Sequence, residues 1–135
     1  MKRDMDLMRT ILFFVEDNYV PRDFAGCNVV IDGVDTHVVR EHCNLLIEDG
    51  LLNNLNSKTA KYLTMSHNGV CVGNLTNKGY DLLDMIRQDT TWNKTKDIIL
   101  KKGLPLIPKT IEAIASTIIK SATEGAVTAY LKQRN

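Results

Sequence analysis

The stretch Leu45-Leu-Ile-Glu-Asp-Gly-Leu-Leu52 constrains the fold most, because it joins two kinds of backbone within eight residues. Upstream of it, Val38, Val39, His42, Leu45 and Leu46 recur at helical spacing, and Asp35 stands where an N-cap belongs. Gly50 then has the place of the residue just past a helix end, where a left-handed backbone is needed and a missing Cβ makes it cheap. Leu51 and Leu52 continue as an extended segment. A helix over residues 35–49 must therefore stop sharply and turn into strand-like chain.

The rest of the N-terminal part can be ordered around that turn. Met5, Met8, Leu12 and Val15, widened by Leu7, Ile11 and Phe14, predict an amphipathic helix from Asp4 to about residue 17. Pro21 and Gly26 mark a loop, and Cys27-Asn-Val-Val-Ile31 reads as a short strand ended by Asp32-Gly33. Lys61-Tyr-Leu-Thr-Met65 and Val70-Cys-Val72 flank an Asn68-Gly69 pair, the dipeptide that best tolerates positive φ at both turn positions. A β-hairpin is expected there. Leu75-Thr-Asn-Lys-Gly-Tyr-Asp-Leu-Leu83 then opens a helix capped by Thr76, which runs on or restarts near Thr90-Thr91.

Downstream, Lys101-Lys102-Gly103 with Pro105 beyond predicts a helix stop, and Pro108 suits the first turn of a last helix. Ile111, Ile114, Ala115, Ile118 and Ala122 form its inner stripe, and Gly125 is expected to break it near the end. Helix, strand, helix, extended segment, hairpin, helix is the order of a winged-helix variant. The fold class expected is mainly α with a small β-wing (α+β): a winged-helix-like domain over residues 1–88 and a C-terminal helical extension over 89–135. One departure from a standard helix-turn-helix is the stretch holding Pro21, Gly26 and Val29-Val30-Ile31, which leaves no clear room for a full supporting helix.

Four pieces carry a narrower resemblance: Met1-Lys-Arg-Asp-Met-Asp-Leu-Met-Arg9, the Leu45–Leu52 turn, Leu75-Thr76 with Gly79, and Asp89-Thr-Thr-Trp-Asn-Lys-Thr-Lys96. Together they resemble a small bacterial and prophage-borne family, domain of unknown function number 2513, over roughly residues 1–100. The resemblance implies a mobile-element context, with no assigned activity, catalytic residues or cofactor.

Charge separates the function classes. Residues 1–93 hold nine Lys/Arg against thirteen Asp/Glu, and residues 94–135 hold eight against three, so the halves carry −4 and +5. The 35–49 helix has one base, Arg40, against four acids. DNA binding through that helix would use His37, Arg40 and Asn44, with Lys58 and Lys61 bringing the hairpin to phosphate. The net −3 of the helix opposes it. The lysines after residue 93 are read as a solvated face ahead of a nucleic-acid or membrane surface.

Catalysis has little to stand on, since there is no phosphate loop or nucleophile elbow, and adjacent helical residues such as His42 and Cys43 diverge. A metal site drawn from Cys27, Cys43, His67 and Cys71 lacks any Cys-x-x-Cys pair. Three cysteines suit a reducing compartment, and the opening residues do not form a signal peptide, so a cytoplasmic location is expected. Trp92, Ile111, Ile114 and Ile118 are read as core or as a contact with a partner or a second copy. The expectation is a non-enzymatic interaction or regulatory module, a homo-oligomer without cofactor or metal, acting through protein contacts. Its rival is a nucleic-acid-binding transcriptional regulator using the 35–49 helix and the 61–72 wing.

Overall fold

The computed structural model describes residues 1–21, 26–55 and 68–134. Among them are five helices, α1 (Met5–Asn18), α2 (Thr36–Glu48), α3 (Asn77–Met85), α4 (Asp89–Lys101) and α5 (Pro108–Arg134). Two strands, β1 (Cys27–Val29) and β2 (Val70–Val72), pair antiparallel in the register Cys27 with Val72 and Val29 with Val70. The architecture is mainly helical with a small antiparallel sheet, an α+β arrangement. It divides into two compact units, residues 1–83 and 84–135.

In the first unit, local chemistry sets each helix start. The Asp4 carboxylate accepts from the Leu7 amide at 3.1 Å, and Asp35 accepts from the His37 amide at 2.8 Å, each satisfying a donor that has no partner inside the helix. Met8, Ile11, Leu12 and Val15 of α1 are buried with Val39, Cys43 and Leu46 of α2. Helix α1 packs on α2 and β1, and α2 packs on β2, so the core lies between the helices and the sheet. Strand β1 ends two residues earlier than the apolar run suggests. The first arm expected of the hairpin, residues 61–65, lies outside the described residues, as do Lys58 and His67.

Helix α3 stops at Met85 and α4 starts at Asp89 after an extended Gln88, so the chain restarts rather than running on. In the second unit, Trp92, Thr95 and Ile99 form the buried side of α4. Gly103 ends α4, with Leu104 donating to the Ile99 carbonyl at 3.0 Å. Helix α5 packs on α4 through its first turns, where Ile111 and Ala115 are fully buried. Contrary to expectation it passes through Gly125 without a break. A helix-interior glycine costs only about 1 kcal/mol relative to alanine, and Ala122, Ala126 and Ala129 near it are the best helix formers.

Candidate interaction surfaces

The two motifs that stand apart in the sequence meet at one joint between the end of α2 and the start of α3. Gly50 takes φ of 75°, its amide donates to the Ile47 carbonyl at 3.0 Å, and Leu51 donates to the Leu46 carbonyl at 2.9 Å. That pair of bonds closes the helix in a Schellman motif. The carbonyls left pointing outward are taken by the second motif: Thr76 Oγ1 donates to the Gly50 carbonyl at 2.6 Å, and its amide to the Leu51 carbonyl at 3.1 Å. Thr76 Oγ1 also accepts from the Gly79 amide at 3.0 Å, which caps α3. Leu52 and Leu75 form a β-bridge beside it. Replacing Thr76 by Val keeps the shape and deletes the cap, and should cost about 1–2 kcal/mol in urea unfolding.

This joint aims the outward side of α2. His37 is exposed, Asn44 is half-buried, and Arg40 sets its guanidinium 3.3 Å from Glu41. The one base of the helix thus lies against an acid. His42 turns the other way and is fully buried. Its Nε2 accepts from the Asp4 amide at 2.9 Å, so the ring proton sits on Nδ1, which donates to the Val38 carbonyl at 2.8 Å. Both ring nitrogens are occupied by backbone, which removes His42 from any acid–base role with Cys43.

Burial disfavours the thiolate at two of the three cysteines. Burial, and then the neighbouring Cys27, push the Cys43 thiol up to about 12 from an ordinary value of 9.0. Burial and then Cys71 raise Cys27. Cys27 pairs with Val72 and Cys71 with Asn28, so Cys27 and Cys71 project from opposite faces of the sheet. No group of three His, Cys, Asp or Glu among the described residues could hold a metal ion. Of the four residues considered for such a site, His67 lies outside the described residues. The raised Cys43 thiol makes a prediction with a definite sign. Its stabilising contribution is complete below pH 9 and falls as pH rises from 9 toward 12, because the unfolded chain loses its proton first. By pH 10 the loss is about 1.4 kcal/mol, and a Cys43→Ala chain should lack that part of the alkaline decline in unfolding titrations.

The second unit offers a different surface. Trp92 is only 2% exposed, with the Lys96 ammonium 5.2 Å from its ring centroid, and Ile111 is fully buried. Their apolar area is used inside the chain, while Ile114 and Ile118 are half-buried. Beside Ile118, a groove of about 600 Å³ runs between α4 and α5, lined by Lys94, Asp97, Ile98, Thr117, Ser121 and Ala122. The exposed apolar side chains lie beyond those the sequence singles out: Leu100 at 80%, Leu104, Leu106, Ile119, Val127, Tyr130 at 58%, and Leu131. Every residue from 119 to 133 is exposed. The signal for this was the apolar pattern continuing past Gly125.

Comparison with known proteins bears on this geometry. A family model described as "Hypothetical protein (DUF2513)" matches residues 2–105, more than half of the chain. The chain belongs to the DUF2513 family. An uncharacterized protein of Haemophilus influenzae (strain Rd) is 34% identical over 125 residues, covering 88% of this chain and 96% of the relative. No solved structure matches. The DUF2513 match contains α1 to α4 and both halves of the joint, and it ends before α5 begins. Within the described residues of this DUF2513 chain, no helix is long and apolar enough to cross a membrane.

Proposed function

We propose that this DUF2513 chain is a non-enzymatic interaction or regulatory module of bacterial mobile-element type, working in the cytoplasm by presenting surfaces to a protein. In this reading the first part is winged-helix-like and serves as the rigid body, and the helical extension supplies the contact. The observation that carries it is the exposure of Leu100, Leu104, Leu106, Val127, Tyr130 and Leu131 on one pair of helices and their connection. Large apolar side chains left in water are costly, and covering them is the usual use of such positions.

The order α1, β1, α2, β2, α3 favours a second reading, a nucleic-acid-binding regulator that uses α2 and the 61–72 segment. The net −3 of residues 35–49 and the Arg40–Glu41 pair weigh against it, because phosphate contacts supply most of the affinity of DNA-binding modules. An anisotropy titration against labelled random duplex DNA at low and moderate salt separates the two. The protein-contact reading expects no binding at low salt. Binding that weakens steeply with salt, and falls in Arg40→Ala and Lys61→Ala chains, would replace it with the nucleic-acid reading.

A further inference from the structure

Helix α5 has 27 residues and α4 has 13, about 40 Å against about 20 Å, so α4 can lie along only half of its partner. The remaining half projects as a helix of some four turns, a length that is marginal in water without packing. The exposed surface that leads along α5 onto this half has a direction. Ser116, Ile119, Thr123, Ala126, Tyr130 and Gln133 follow one another at spacings of three and four, the heptad pattern, and all six are exposed. Glu124, Thr128 and Lys132 fall on the far side.

The order along this stripe identifies what fits it. Polar, large, small, small, large, polar reads the same in both directions. A second α5 running antiparallel therefore sets Ile119 against the other copy's Tyr130 at each end and pairs Thr123 with Ala126 twice in the middle. Large side chains then fill the ends, and the small central pairs let the two backbones approach closely. A threonine within a helix can return its hydroxyl to the carbonyl one turn back, which leaves its methyl group for the facing alanine. Glu124 and Lys132 lie outside the contact, so neither helix brings a charge into its centre. In a parallel pair, Tyr130 would meet Tyr130 and hold the small central layers apart. We infer that the segment of α5 from Ile119 to Tyr130 pairs antiparallel with the same segment of a second copy of this chain, through Ile119, Thr123, Ala126 and Tyr130.

This inference rests on the protein-contact reading and names the partner. Two such helices bury about 450 Å² each, short of the roughly 800 Å² per partner of a standard interface. The dimer is consequently weak and concentration-dependent, and the helical order of the overhang rises as it forms.

The test is sedimentation equilibrium of the full chain over about a hundredfold range of concentration, with far-ultraviolet ellipticity followed on the same samples. The average mass should climb from one chain toward two, and helical ellipticity should rise with it. A Thr123→Glu/Ala126→Glu chain should stay at the mass of one chain throughout, with an unchanged urea midpoint in dilute solution. Thr128→Glu, on the opposite side, should dimerise as the parent does. For orientation, mixed Ile119→Cys and Tyr130→Cys chains should cross-link faster than either variant alone. A mass of one chain at every concentration, dimers indifferent to the double substitution, or faster linking within each separate variant would each overturn the inference. A single-chain mass removes the second copy but leaves the protein-contact reading standing, since that reading falls only to the salt-dependent DNA titration.

Discussion

Replacing Gly79 by alanine should destabilise the first unit by about 3 kcal/mol or more, although alanine is the better helix former. Gly79 lies in α3, where propensity alone would make Ala favourable by roughly 1 kcal/mol. A Cβ at this position, however, would run into the carbonyl oxygen and carbon of Leu51. Neither side can yield cheaply. The Leu51 carbonyl is fixed by the Thr76 amide at 3.1 Å, Leu51 itself closes α2, and Leu82 and Leu83 anchor α3 in the core. Overpacking against such fixed backbone costs about 1–3 kcal/mol even where relaxation is available, and here the atom in the way belongs to the main chain. Urea unfolding of Gly79→Ala should therefore show a midpoint well below that of the parent, and an equal or higher midpoint would refute the close approach. Gly50→Ala provides the scale, since it has nothing within contact distance and only its φ of 75° is strained, so about 1 kcal/mol is expected there.

His42→Ala should cost about 3 kcal/mol, most of it from the cavity and the rest from a lost hydrogen bond. Removing a fully buried ring leaves a cavity in the contact between α1 and α2, for which large-to-small substitutions lose about 2–5 kcal/mol. It also leaves the amide of Asp4, the N-cap residue of α1, without the Nε2 acceptor 2.9 Å away. Because Asp4 itself is exposed, losing this bond costs about 0.5–1.5 kcal/mol, which His42→Phe isolates by restoring volume without the acceptor. The order of urea midpoints should be parent, then His42→Phe, then His42→Ala. Faster amide exchange at the start of α1 in both variants would tie the loss to this bond. If His42→Phe matched the parent, the Asp4 bond would carry no weight.

The sequence was most legible where one short stretch decides the outcome. Asp4, Asp35, Thr76, Gly50 and Gly103 all occupy the helix-terminal positions that their side chains, or lack of one, suggest. Each needs only its nearest backbone to act. What was not legible depends on residues far apart in the chain. Nothing near Cys27 specifies Val72 as its partner, and nothing near His42 shows that its ring is held by an amide 38 residues away. Gly125 misled for a different reason, because a single breaker signal was outweighed by the alanines near it. The division of the α5 stripe into a covered half and an exposed half follows from the length of α4. That length is set by the Gly103 stop, so periodicity alone marked Ile111 and Ile118 alike.

The joint between α2 and α3 is built almost wholly from main-chain groups, the Gly50 and Leu51 carbonyls, the Thr76 amide and the Leu52–Leu75 bridge, with one threonine hydroxyl added. The angle at which α2 is presented is thus independent of what stands at positions 37, 40, 41, 44 and 48. Drift at those positions can retune the outward face, in charge or in shape, without a compensating change in the hinge. Relatives that keep a threonine and two glycines in register would be free to diverge on this face, while holding the helix at one fixed pitch.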